Sequence, residues 1–532
     1  MKAFRRWAFA VWLVLIVAFA LLHALNLRAD FPNHSPWMSD WAKYTDEGWY
    51  GNAAIRAHLF GNWYLPGDFN PAVAVPVWPL LEWVLFFFTG VTIEAARGLA
   101  IAFFFANLGL GYLLLRAAGA RWMALLAVSL LVTSPFLYCF SRLAILEPSL
   151  IAFTLGAINL AVRLPRLRRP LTASVLIGVL FTLMMLTKTT AVFLLPALGW
   201  AMLFPLRRDL RMALRCAAAA IVAFAATFGF WLGMVIRHGL FADYKYLFVV
   251  NRYPKPRDLY WPLVSFWWSL HGTMWVDHIL VPLCGLLLLG AVVSAAALTR
   301  RAPWGKAFLL DPVVGASALA MAGYILFMTY QNHPQPRYYA VVAFFCFFAV
   351  ARGVEMLLGG QGWTRRMGWF ALGLAAAASA VDGAWTLTYA THPEYTYVTA
   401  AARLAQYIDQ HPNGRRMLDS ISSDQITLMT HLPTLCDDFG TEDLATKLAY
   451  YRPGWYAAWN DFDPGTLEDI HVHFSLEQVA SFPALDDPDR NELVLFKLHP
   501  LPYGKVRERQ DQPPDQPLNQ PLPDDKIDID VE

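Results

Sequence analysis

The chain has 532 residues and a formal net charge of +2, with 57% hydrophobic against 15% charged side chains and a mean hydropathy of +0.39. Soluble domains carry about 25% charged residues, so this composition excludes an ordinary soluble class and points to a membrane protein. No basic stripe falls on a soluble segment, which argues against nucleic acid as a partner. Five cysteines are too few for a disulfide scaffold, and neither CxxC nor HExxH spacing occurs.

A membrane span needs about 20 apolar residues, because the hydrocarbon core is about 30 Å thick and a helix rises about 1.5 Å per residue. The first apolar run, 7–24, follows Lys2, Arg5 and Arg6 and lacks a small-x-small cleavage signal. It reads as an uncleaved first helix with a cytoplasmic N-terminus. Further spans are expected at 95–115, 123–140, 145–162, 171–187, 189–204, 213–236, 279–299, 312–330, 338–351 and 367–388, about eleven in all. Arg116/Arg121, Arg163–Arg169, Arg207–Arg215, Arg300–Lys306 and Arg352–Arg366 then fall in alternate loops. That alternation satisfies the positive-inside rule. Counting 74–91 or 259–275 as spans would invert it, so both are expected to lie along the outer surface.

Beyond residue 390 the apolar runs stop. A helix at 395–411, strands at 416–421 and 493–498, and a helix at 441–450 suggest a small α/β domain outside the membrane. The run Arg452–Trp459, RPGWYAAW, reads either as a buried strand or as an aromatic surface for sugar rings. The tail QDQPPDQPLNQPLPDDKIDID has a disordered composition. The expected organisation is a helical membrane domain over 1–390, an extracytoplasmic α/β domain over 391–505 and an acidic, Pro-rich tail over 506–532.

On this topology the polar residues of the membrane domain collect on the outer side. The first outer loop carries Asp40, Asp46, Glu47 and Tyr50; SRLAILEP carries Arg142 and Glu147; LTKTT carries Lys188; and QNHPQPRYY carries His333, Arg337 and Tyr338. Charges at mid-membrane cost on the order of 2.5–3.5 kcal/mol on insertion scales, so hairpin loops that retain them usually use them. Carboxylates and cations facing one compartment suit group transfer from an anionic carrier: a carboxylate takes a hydroxyl proton, and cations stabilise a departing phosphate. Each has a plainer reading. Asp46-Glu47 fits a solvated turn, Arg142 and Glu147 an interfacial pair, Lys188 a snorkelling lysine and Arg337 an interface anchor.

The run Asp46-Glu47-x-x-Tyr50, with GNWYLPGDFN and a Pro-Leu helix behind it, resembles the first outer loop of GT-C glycosyltransferases. It is closest to the group of dolichyl-phosphate-mannose protein mannosyltransferases and aminoarabinose transferases. SRLAILEPSLIAF, LTKTTAVFLLPAL and HPQPRYYAVV resemble later patches of the same group, in the same order. The resemblance covers about residues 1–390. It implies a GT-C-like polytopic fold in the plasma membrane and transfer of a sugar from a polyprenyl-phosphate carrier, with inversion, to a lipid, glycan or protein acceptor. It further implies Asp46 as general base, Glu47 as the alternative and Glu147 as part of the acidic wall. Tyr50, Arg142, Lys188, His333, Arg337 and Tyr338 are then substrate contacts, and neither cofactor nor metal is required. One departure is Val77-Trp78-Pro79-Leu80, where the group commonly has a basic residue before Pro-Pro-Leu. A transporter of a lipid-linked substrate and a non-catalytic membrane scaffold are the competing classes.

Overall fold

The computed structural model describes residues 2–119, 121–250, 260, 311–331 and 335–502. The expected surface segment 259–275 (Tyr260 apart), the expected span 279–299, the basic loop 300–306, His333 and the tail from 506 lie outside the described residues.

The described membrane part comprises α1 (Lys2–Leu22), α2 (Asp46–Phe60), α3 (Val77–Thr89), α4 (Ile93–Ala118), α5 (Arg121–Thr133), α6 (Pro135–Ser141), α7 (Glu147–Ala161), α8 (Pro170–Thr187), α9 (Leu195–Leu203), α10 (Leu210–Arg237), α11 (Pro312–Gln331), α12 (Tyr339–Leu358) and α13 (Trp363–Thr391). Proline sits in the first turn of α6, α7, α8 and α9, where its missing N–H is not needed. The helices run back and forth, which brings Glu147, Lys188 and Arg337 to one end of the bundle. Among the described residues, Arg116, Arg163, Arg207 and Arg352 lie towards the other end, where the Arg163 guanidinium donates to the Leu113 carbonyl of α4 (2.8 Å).

The core is centred on α5, α7 and α12, whose Leu131, Leu155, Phe345 and Phe348 are all fully buried. In contrast α10 exposes large apolar side chains such as Ile221 (64%) and Phe230 (72%), the pattern of a helix that faces lipid. It closes on α8 at Gly178, where a Cβ would stand 2.2 Å from the Ala220 carbonyl oxygen.

Among the described residues, six helices are long and apolar enough to span a membrane, or seven if α5 and α6 form one span bent by 69°. The expectation of about eleven spans includes 279–299, which lies outside the described residues, and several runs that form shorter apolar helices. The bend falls at Ser134, whose side chain accepts from the Leu137 N–H and starts a new helix with Pro135 behind it. The segments expected at 7–24, 145–162 and 189–204 form shorter apolar helices, Arg6–Leu22, Glu147–Ala161 and Thr189–Leu203. Helix α3 has 13 residues, about 20 Å of rise against a core of about 30 Å.

After α13 come α14 (Thr396–Gln410), β1 (Leu418–Ser420), α15 (Ser423–Thr430), β2 (Thr434–Cys436), α16 (Leu444–Tyr451), β3 (Trp455–Trp459), α17 (Pro464–His471), β4 (Phe474–Pro483) and β5 (Glu492–Pro500). The sheet order is β2-β1-β3-β5-β4. The β2–β1–β3 pairings are parallel, and β3–β5 and β5–β4 are antiparallel. The run RPGWYAAW therefore contributes a strand, buried along its whole length.

This α/β unit is tied to the membrane part by buried carboxylates of the first loop. Asp30 accepts from the Tyr397 N–H (2.8 Å) and the Val398 N–H (3.1 Å), capping α14. Asp68 pairs with Arg56 (2.9 Å) and accepts from the Cys436 N–H (3.2 Å), while Arg56 also meets Asp424 of α15 (3.0 Å). Helix α2 packs so closely on α15 that a Cβ on Gly48 would stand 2.0 Å from the Gln425 nitrogen.

Candidate functional site

Where the first loop, the polar ends of the membrane helices and the sheet edge meet, they enclose a cavity of about 450 Å³. It is lined by Asp46, Tyr50, Lys188, Arg337 and Tyr338 and by the apolar side chains of Val75, Leu146, Leu247, Phe248 and Phe327.

Asp40 builds the floor. One of its carboxylate oxygens accepts from the Ala42 N–H (2.8 Å), opening a short 3-10 turn over Trp41–Tyr44. The same oxygen accepts from Arg337 Nη1 (2.6 Å), and the other accepts from the Arg337 backbone N–H (2.7 Å). Arg337 is thereby fixed with its Nε 3.2 Å from Asp46 Oδ2. That approach lacks hydrogen-bond alignment, so Asp46 Oδ2 is a buried acceptor with no hydrogen-bond donor among the described residues. Burial pushes the Asp46 carboxyl above the ordinary carboxylate range, against the opposing pull of Arg337 and Lys188.

Lys188 emerges where α8 ends and pairs with Glu147 at the start of α7. Its ammonium lies 4.4 Å from the centroid of the Tyr338 ring, and the Arg337 guanidinium carbon lies 4.8 Å from the same ring. Two cations thus share one aromatic ring near one carboxylate.

The structure brings Asp46, Tyr50, Lys188, Arg337 and Tyr338 onto the cavity wall. Glu147 stands behind Lys188, 1% exposed, and positions it. Glu47 and Arg142 are directed elsewhere. Glu47 accepts four hydrogen bonds: from Arg97 Nε (2.7 Å), Arg97 Nη2 (2.7 Å), the Ala144 N–H (2.8 Å) and Gln425 Nε2 (3.0 Å). Its carboxylate is saturated, fully buried and off the cavity wall. Arg142 donates to the carbonyls of Leu25 and Asn26 (both 2.6 Å) and lies over the Tyr138 ring, so it braces the loop after α1.

Several lining residues escaped the sequence reading: Lys43, Asp438, Phe439, Asp486 and Arg490; Trp459 belongs to the aromatic run that it singled out. Lys43 pairs with Asp486 (2.8 Å), which also meets Arg490 (3.1 Å). Only a contact across more than 400 residues joins Lys43 to this hairpin, so no local signal marks it. Among the described residues, no group of three or more His, Cys, Asp or Glu side chains is arranged to hold a metal ion.

No protein-family model matches the sequence, and neither does any curated protein. The fold is shared with solved structures. ArnT from Cupriavidus metallidurans bound to undecaprenyl phosphate superposes with a TM-score of 0.57 at 14% identity, over 91% of this chain and 98% of that one. The archaeal oligosaccharyltransferase AglB from Archaeoglobus fulgidus, in complex with an inhibitory peptide and a dolichol-phosphate, gives 0.51 at 12% identity, over 91% of this chain and 74% of that one. The chain therefore shares the fold of these two solved membrane proteins.

Proposed function

We propose that the protein is an integral membrane glycosyltransferase that moves a sugar from a polyprenyl-phosphate carrier to an acceptor hydroxyl on the outer face. The observation that carries this reading is the composition of one cavity. A desolvated carboxylate and two cations line it together with a set of apolar side chains. An anionic headgroup on a long apolar tail has this chemistry. That ArnT, of the same fold, was crystallised with undecaprenyl phosphate supports it.

In this reading Asp46 Oδ2 takes the proton of the acceptor hydroxyl as the acceptor oxygen attacks the anomeric carbon. The bond from that carbon to the phosphate oxygen breaks with its electron pair on the phosphate. Lys188 and Arg337 hold the phosphate and stabilise the charge that develops there. Attack opposite the leaving group inverts the anomeric configuration. Lys188 and Arg337 supply the cations at the donor end, where the Val77-Trp78-Pro79-Leu80 segment has none.

The outer-face assignment is supported by charge. The site gathers at the helix ends remote from Arg116, Arg163, Arg207 and Arg352, and basic ends face the cytoplasm by the positive-inside rule. The N-terminus is then cytoplasmic and the α/β unit extracytoplasmic. Lys188→Gln keeps a hydrogen-bond donor for Glu147 but removes the charge. Undecaprenyl phosphate should bind it roughly tenfold more weakly than wild type, the loss of about one charge-assisted contact. Unchanged binding, read by tryptophan fluorescence on a folded variant, would remove Lys188 from the donor site.

A further inference from the structure

The wall of the cavity opposite the membrane helices belongs to the sheet. Strands β1, β2 and β3 run parallel, and the chain reaches the cavity just as each one ends. Ile421 follows β1, Asp438 and Phe439 follow β2, and Trp459 closes β3. The crevice outside the carboxyl ends of parallel strands is where open α/β sheets bind ligands, because the connecting loops diverge there. Here that crevice opens onto Asp46 rather than onto bulk water.

Asp438 is the polar group of this wall. It is exposed, lines the cavity, and has no hydrogen bond or ion pair with any other described residue. The cations that line the cavity are engaged: Lys43 with Asp486, Lys188 with Glu147, Arg337 with Asp40 and Asp46, and Arg490 with Asp486 and Asp487; Lys447, whose charge reaches Asp438, pairs with Asp68. The rings beside it are braced. Phe439 meets Trp49 edge-on at 4.9 Å, and Trp459 stacks on Tyr397 at 5.6 Å. A carboxylate with acceptor capacity in one cavity with braced aromatic side chains suits a sugar, whose C–H faces pack on rings while its hydroxyls donate.

We propose that the corner after β2, with Asp438 as its polar contact, is the acceptor subsite, and that the acceptor presented to Asp46 is a carbohydrate. The assignment rests on the transfer reading above. Donor and acceptor are then recognised by different parts of the chain: the donor phosphate by the membrane helices, the acceptor by the sheet. Asp438 accepts a hydrogen bond from an acceptor hydroxyl other than the reacting one, whose proton goes to Asp46.

The test uses full-length protein in lipid, a panel of labelled polyprenyl-phosphate sugars, and a membrane extract as acceptor. The extract is divided into untreated, protease-treated and periodate-oxidised portions. Transfer should survive protease and be lost after periodate, which cleaves sugar diols. Asp438→Asn should raise the extract concentration for half-maximal transfer roughly tenfold, with undecaprenyl phosphate binding unchanged and melting temperature not lowered. Transfer that survives periodate but not protease would overturn the carbohydrate assignment. An unchanged half-maximal concentration, or weakened undecaprenyl phosphate binding, would overturn the role of Asp438. Absence of transfer by wild type to every portion would refute the transfer reading itself, and this inference with it.

Discussion

Glu47 and Asp46 are adjacent carboxylates, and replacing Glu47 by Gln separates their roles. Glu47 is fully buried against Arg97, which is itself 4% exposed. Removing one partner of a buried ion pair costs about 3–5 kcal/mol, because the other charge is left without compensation. Two features move the expectation within that range. Arg97 Nη1 keeps its bonds to the Leu27 and Ala29 carbonyls, which lowers the cost. The new amide NH₂ raises it. Set toward Ala144, it faces a backbone N–H; set the other way, it faces the Gln425 NH₂. Gln425 cannot turn to relieve that contact, because its Oε1 accepts from the Gly48 N–H (2.9 Å). The net expectation is about 3 kcal/mol, seen as a lower unfolding midpoint in detergent by tryptophan fluorescence. Activity per folded molecule should fall much less than in Asp46→Asn. A Glu47→Gln protein with wild-type stability and no activity would refute the structural assignment and make Glu47 the base.

Gly48→Ala places a Cβ 2.0 Å from the Gln425 nitrogen and 2.2 Å from the Asp424 carbonyl carbon. The helix propensity gained, about 1 kcal/mol, is outweighed because both neighbours are backbone. A net loss of at least about 1–3 kcal/mol is expected, whereas Gly98→Ala, with nothing within 4 Å, should be neutral or slightly stabilising in the same melting assay. Burial, with Asp438 nearby, pushes Asp437 from 3.8 up to about 8. The folded state therefore holds this proton where the unfolded chain releases it, so stability is greatest below about pH 4 for this group and declines as pH rises toward 8. Asp437→Asn should flatten the fall in melting temperature between pH 5 and 8, and an unaltered slope would rule this group out as its source.

Much of the site was legible because its parts lie in short polar runs between apolar helices. The Asp46, Lys188 and Arg337 runs stand out against their surroundings, and the arginine clusters give their sidedness. Glu47 was not legible. It is one residue from Asp46, but about 100° around α2, so one carboxylate faces the cavity and the other meets Arg97 of α4. The available signal was Arg97, a lone arginine inside the apolar run IEAARGLAIAF, which needs a buried carboxylate partner. The spacing from Arg142 to Glu147 suggested a pair, but α6 ends at Ser141 and α7 starts at Glu147. The turn between them sends the two side chains to different neighbours. In the α/β unit the strands at 416–421 and 493–498 were readable from their apolar runs. β2, only three residues long, gains its stability from pairing with β1 and leaves little pattern in the sequence. Apolar length alone did not show that the chain bends at Ser134 or that the runs at 7–24, 145–162 and 189–204 form shorter helices.

The most direct test is sugar transfer by purified protein in lipid, with a panel of radiolabelled polyprenyl-phosphate sugars and a membrane extract, comparing wild type with Asp46→Asn. The account predicts that wild type consumes one donor and labels the extract. Asp46→Asn should still bind undecaprenyl phosphate but transfer at least about a hundredfold more slowly, the contribution of a positioned base. Transfer by Asp46→Asn at the wild-type rate would contradict Asp46 as the base, and no consumption of any donor by wild type would contradict the assignment as a glycosyltransferase.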